Sequence, residues 1–283
     1  MLKNKIILKT SFVKLLVYSN IYVAVAVACI TLTTGLMFSI SVINECLFSF
    51  FGTLFIYNIA RLIKHKKLNN LKSPRYFFIK SYYKHLLLLS VLSFFCSLYY
   101  LFKFPYNSFY LLFPCSVVAF FYSIPVINIR GVPGLKLFLI AFIWTVLTFV
   151  IPIINTSIYL DADFYLQTLQ RFLFIMAITI PFDIRDLSID KKTIKTLPML
   201  IGVQKSKWIA IGLLAIAEIL LLIQFFTSDI FTLIQVISLY FCYEVMAVLI
   251  YFSDEQKGDM YYSFVIESTL IFMFVLYFAA TIF

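Results

Sequence analysis

Nine apolar stretches, each close to the length of a bilayer-crossing helix, run through this chain at roughly 12–34, 40–60, 86–104, 108–127, 135–155, 164–182, 207–227, 230–252 and 261–282. A helix needs about 20 mostly apolar residues to cross the hydrocarbon layer. With 63% hydrophobic residues, 13% charged residues and a mean hydropathy of +1.00, the chain is far more apolar than a soluble domain, whose apolar share is about 45–50%. The expected architecture is all-α, a polytopic membrane bundle of nine transmembrane helices. No linker, low-complexity run or soluble domain interrupts it, so residues 1–283 read as a single membrane domain.

The basic residues set the expected orientation, because short loops rich in lysine and arginine stay cytoplasmic. They cluster before the first stretch and after the second, fourth, sixth and eighth; only Lys103 and Arg171 fall near the other side. The N-terminus is therefore expected in the cytoplasm and the C-terminus outside. The opening run imitates a signal peptide ending at Val27-Ala28-Cys29, but its removal would invert this charge pattern, so it reads as the first helix. The net charge of +10 lies at membrane edges. Anionic headgroups account for it there, so membrane lipids are the expected partner and nucleic acid is not.

Five cysteines are scattered through apolar stretches without paired spacing and read as packing residues. His65 and His85 are too few and too far apart in sequence for a histidine metal cluster. The chemistry lies instead in carboxylates, which are rare here. Asp183, Asp186 and Asp190 stand where the sixth stretch meets a lysine-rich segment. Spacings of three and four residues put them on one helical face, where their oxygens can converge on one hard cation such as Mg2+. Lys191, Lys192 and Lys195 follow at once and can neutralise a polyphosphate. Solvated charges at a helix end are the plain alternative for the acids, as orientation charges are for the lysines.

From Asp183-Ile184-Arg185-Asp186 through Asp190-Lys191-Lys192 and Lys195-Thr196-Leu197-Pro198 to Gly202, the sequence resembles the second aspartate-rich motif of UbiA-type intramembrane prenyltransferases. Tyr122-Ser123-Ile124-Pro125, followed by Arg130-Gly131-Val132-Pro133-Gly134-Leu135-Lys136, is similar to that family's connection between helices four and five. The resemblance covers essentially the whole chain. It implies transfer of an isoprenoid group from a prenyl diphosphate to a lipid-soluble acceptor, aromatic or quinone-type by default, with Mg2+ on Asp183, Asp186 and Asp190. It also marks Tyr122 as a catalytic candidate and Arg130 as a substrate-binding one. The implied setting is the cytoplasmic membrane of a bacterium, with the site facing the cytoplasm. One small departure is the missing glycine that the family often has before its Lys-Thr pair.

The family's first motif, an Asn-Asp-x-x-Asp-x-x-x-Asp run at the end of helix two, is altered here. The chain has Tyr57-Asn58-Ile59-Ala60-Arg61-Leu62-Ile63-Lys64-His65-Lys66, so the asparagine stays while Ile59, Leu62 and Lys66 replace the acids. Asn58, Arg61 and His65 share a helical face. One reading makes a hybrid site: a metal on the three aspartates, and Arg61 with Lys64 gripping phosphate oxygens from the opposite side. The other makes these cations headgroup anchors. Asn58 is a substrate-binding candidate beside Arg61 and Lys64, and Asn20 and Asn58 either line the cavity or hydrogen-bond helix to helix. The segment from Lys64 to Lys84 is expected to hold a short interfacial helix acting as a lid. Loss of the acids keeps open a non-catalytic isoprenoid or lipid binder. Glu218, Glu244 and Glu267, inside apolar stretches, keep open a small-molecule transporter.

Overall fold

The computed structural model describes residues 11–67, 74–123, 134–156, 161–187 and 196–282, with the side chains of 64–67 and 120–123 outside that description. The described residues form helices and no strands. In chain order these are α1 Phe12–Tyr18, α2 Ile21–Met37, α3 Ile43–Lys67, α4 Pro74–Ser81, α5 Tyr83–Leu101, α6 Phe109–Ser123, α7 Leu135–Ile154, α8 Ala162–Arg185, α9 Leu197–Ile201, α10 Val203–Thr227, α11 Leu233–Tyr251 and α12 Tyr261–Ile282. Each apolar stretch read from the sequence falls on one of the longer helices or, for the first, on α1 and α2 together. Among the described residues, six helices are long and apolar enough to cross a membrane, and the α1–α2 pair, bent by 73°, makes a seventh if counted as one span.

Packing order follows from which faces are small or polar. On α5 the buried positions are Leu86, Ser90, Ser93 and Ser97, while Leu88, Leu92, Phe95 and Tyr99 are exposed. In water this pattern would be inside out. In lipid, the serine stripe lets α5 approach α3 closely, and its hydroxyls are satisfied within the helix, Ser90 and Ser93 donating to the Leu86 and Leu89 carbonyls at 2.9 and 2.7 Å. The main core joins α2, α7, α8, α10, α11 and α12 through residues such as Ile30, Phe174, Ile178, Leu214, Tyr243 and Met246. Because α12 packs against α2, the last long helix closes the bundle onto the first long one. Two helix starts are sealed by side chains: Asp161 accepts from the Phe164 N–H, and Thr232 with Gln235 forms a capping box.

The sharp bend between α1 and α2 centres on Asn20, whose left-handed φ of 63° breaks the helix. A break leaves carbonyls without intrahelical partners. Here α3 supplies them: Asn58 Nδ2 donates to the Ser19 carbonyl at 2.9 Å and Arg61 Nη1 to the Tyr18 carbonyl at 3.2 Å. Asn20 Nδ2 in turn donates to Asn58 Oδ1 at 2.8 Å. Arg171, which sequence reading places toward the outer side, is buried midway along α8, donating to the Ile30 carbonyl at 3.2 Å and to Thr34 Oγ1 at 3.3 Å. All five cysteines are free, and Cys46 donates weakly to the Ala28 carbonyl, as packing residues do. Asn58→Ala orphans the Ser19 carbonyl and is expected to cost about 1–3 kcal/mol, seen as a lower midpoint of thermal unfolding in detergent with helicity retained below the transition.

Candidate functional site: a charged cluster at one end of the bundle

The last turn of α8 carries Asp183 deep among the helices, at 1% exposure. A carboxylate so placed needs a cation or strong donors. Lys136, in the first turn of α7 just after the left-handed Gly134, meets Asp183 Oδ1 at 2.6 Å. Asp186 caps the end of α8 and takes a two-pronged contact from Arg185, Nε to Oδ1 at 2.7 Å and Nη2 to Oδ2 at 3.1 Å. The planar guanidinium is well matched to a carboxylate in this geometry.

Arg185 also reaches the start of α12, its Nη1 lying 3.3 Å from Asp259 Oδ1 and 3.0 Å from Ser263 Oγ. From α4, Arg75 Nη2 comes to the same two residues, 2.8 Å from Asp259 Oδ2 and 2.9 Å from Ser263 Oγ. Aromatic faces support both cations. Arg185 lies over Phe182 and Tyr262, and Arg75 over Tyr18. Burial pushes the Arg75 guanidinium below its ordinary value, and the facing Asp259 carboxylate opposes that shift. Arg61 and Glu267 lie within electrostatic reach of Arg75, Arg185 and Asp259. Side chains from α3, α4, α8 and α12 thus meet in one cluster of alternating charge. A wide π turn over Tyr261–Ile266 opens α12 beside it, a local irregularity often found at functional sites.

The structure therefore brings Asp183, Asp186 and Arg61 to one end of the bundle. It gives Asn58 and Arg61 bonds to the α1–α2 break as well. Asp190, Arg130, Lys191, Lys192 and Lys195 lie outside the described residues, as do the side chains of Tyr122 and Lys64. Among the described residues, no group of three His, Cys, Asp or Glu side chains is arranged to hold a metal ion. The short helix expected between Lys64 and Lys84 is present as α4, with Phe78 and Ile79 buried in a cluster with Tyr18, Leu62 and Leu86. The sequence alone does not single out Asp259 or Ser263, and Arg75 stands in it as one of the basic residues clustered after the second apolar stretch. The one available signal was an acid standing beside Lys257 just before the last apolar stretch. Of the glutamates singled out for transport, Glu244 is exposed on α11, where Tyr240 bonds to it, and Glu267 belongs to the cluster.

No family model matches the chain, and no curated protein matches it. Solved structures do. A UbiA homolog from Archaeoglobus fulgidus bound to GPP and Mg2+ superposes with a TM-score of 0.66 at 15% identity, covering 94% of this chain and 100% of that one. The same homolog bound to Cd2+ gives 0.61 at 17% identity, covering 92% and 99%. A digeranylgeranylglyceryl phosphate synthase gives 0.58 at 16% identity, covering 96% and 98%. At such identities the likeness lies in the path of the backbone, and it extends over nearly the whole of each chain: this integral membrane protein has the fold of the UbiA-type intramembrane prenyltransferases.

Proposed function

We propose that the protein is a prenyltransferase that moves an isoprenoid group from a prenyl diphosphate to a lipid-soluble acceptor, aromatic or quinone-type. The observation that carries this reading is the meeting of the Asp183–Asp186 end of α8 with the guanidinium groups of Arg61, Arg75 and Arg185, in a fold shared with a homolog bound to GPP and Mg2+. Nine membrane crossings, a cytoplasmic N-terminus and a site facing the cytoplasm of a bacterial inner membrane complete the proposal, supported by the distribution of basic residues.

The donor chemistry of α8 suits a divalent ion. Asp183 and Asp186 offer hard oxygen ligands one turn apart, with Asp190 the third acid of the series, and the two described carboxylates are paired with the cations Lys136 and Arg185. Mg2+ held by Asp183, Asp186 and Asp190 would supply Lewis-acid stabilisation of charge on the departing diphosphate. The rest of the work belongs to the chain. Arg61, Lys64, Arg130, Lys191, Lys192 and Lys195 are the proposed phosphate-binding cations, with Asn58 holding Arg61's helix against the α1–α2 break. As the bond from C1 to the diphosphate oxygen breaks, its electron pair leaves with the diphosphate. The acceptor then bonds to C1 and gives up a proton. Aromatic faces, with Tyr122 the proposed one, can stabilise the allylic cation between these events. The phosphate side is thus a hybrid, with guanidinium groups standing where the family's first acidic motif would be.

The purified chain should release diphosphate from geranyl diphosphate only with a divalent ion present, and Asp186→Ala should lower that release by roughly 100-fold or more, the scale of losing an electrostatic stabiliser. Binding that persists in chelator without any release would instead mark a non-catalytic isoprenoid binder. Arg61→Ala is expected to weaken pyrophosphate binding roughly tenfold, the loss of one charge-assisted contact. Titration calorimetry in detergent checks it, and full retained affinity would remove Arg61 from the site.

A further inference from the structure

Arg75 and Arg185 come from elements far apart in sequence, yet both guanidinium groups converge on one carboxylate and one hydroxyl, those of Asp259 and Ser263. The fit is imperfect in a telling way. Asp259 Oδ2 sits 2.8 Å from Arg75 Nη2, close enough for an ion pair. Yet neither that oxygen nor the buried Arg75 Nε has a hydrogen-bond partner among the described residues. By contrast, Arg185 and Asp186 share two well-formed bonds. The carboxylate therefore neutralises the fork without saturating it. A tetrahedral phosphoryl group offers three oxygens at once, and a diphosphate offers more, enough to engage donors that a planar two-oxygen group leaves unused.

We infer that Asp259 is a resident counter-anion, occupying the place between Arg75 and Arg185 that the diphosphate of the substrate takes, and that substrate binding displaces it. Ser263 keeps the two guanidinium groups in register, since its Oγ accepts from both and lies 3.5 Å from Asp259 Oδ1. Asp259 follows Gly258 directly and lies just ahead of α12, at the end of the connection from α11, so its side chain can swing away without unwinding the membrane-length helix. Arg61 stands within electrostatic reach and adds a third positive charge to the emptied fork. The exchange is anion for anion and needs no covalent step. It rests on the prenyltransferase reading for the identity of the ligand, and it deepens that reading by adding Arg75 and Arg185 to the diphosphate ligands and giving Asp259 a competing role.

The two roles open to Asp259 predict opposite signs. A carboxylate that merely organises the arginines should help an incoming anion, whereas a resident competitor should hinder it. Pyrophosphate binding to the full-length protein in detergent, measured by calorimetry and by the ligand-induced rise in Tm with chelator present, separates them. Asp259→Asn should bind pyrophosphate roughly tenfold more tightly than wild type, a one-charge change in coupling. Its Tm should fall without ligand and recover with pyrophosphate more than with inorganic phosphate. Asp259→Glu should stay near wild type, and Arg75→Gln should lose most of the affinity gained by Asp259→Asn when the two are combined. Weaker or unchanged binding by Asp259→Asn, with wild type still binding, overturns the displacement. Absence of pyrophosphate binding by wild type, with or without Mg2+, instead overturns the prenyltransferase reading beneath it. Should Asp259→Asn fail to fold, extraction with pyrophosphate must rescue it where chloride at equal ionic strength does not; no rescue counts against the inference.

Discussion

A carbonyl freed inside hydrocarbon has no water to accept from, and so the break between α1 and α2 governs what may stand beside it. Tyr18 and Ser19 each present a carbonyl at that break, and α3 answers with Arg61 and Asn58. The same pairing fixes where a positive charge enters the bundle. Arg61 cannot anchor the break and also point outward into the headgroups, so its guanidinium stays on the inner side of α3. Tyr18, just before the bend, also presents its ring to Arg75. One backbone defect therefore positions two of the three guanidinium groups of the charged end.

Those charges would be costly alone. Moving an ion from water into a low-dielectric interior costs several kcal/mol even after relaxation, and a single neighbour seldom repays it. The cluster solves this by alternation, Lys136 with Asp183, Arg185 with Asp186 and Asp259, and Arg75 with Asp259. A network of this kind shares its counter-charges and can accept a new anion or cation by exchanging partners rather than by burying a bare charge. Such an arrangement holds its charges in balance and can redistribute its pairs when a further charge arrives.

The long apolar runs were legible because membrane-spanning length is a one-dimensional property, readable residue by residue. The acids of α8 were legible for the same reason: Asp183 and Asp186 are neighbours along one helix, and regular spacing reports their shared face. What escaped sequence reading is whatever depends on pairing between distant elements. Asp259 reads as one more loop acid until α4 delivers Arg75 to it. Arg171 looks like an edge charge, yet it sits inside the bundle because the Ile30 carbonyl and Thr34 offer it acceptors. The α1–α2 bend was hidden by averaging, since a single Asn20 hardly changes the hydropathy of a long apolar stretch. The serine stripe on α5 is hidden likewise, because its period matters and its mean does not.

An electrostatic site is defined by where charges end up, and the helix that supplies each charge is secondary. The resemblance to the prenyltransferase family leads one to expect carboxylates at the end of α3, and this chain has Ile59, Leu62 and Lys66 there. Carboxylates face that wall instead, Asp259 just ahead of α12 and Glu267 after its π turn, and the positive charge opposite them comes from Arg61 and Arg75. A guanidinium fixed by the fold supplies positive charge to a phosphate as a metal does, but it cannot be lost to a chelator and it demands a standing counter-anion when no phosphate is present. Placing arginine at the α3 wall therefore requires an acid on the opposite wall. Asp259, held between two arginines with one oxygen poorly satisfied, has the position and the imperfect fit that such a requirement produces.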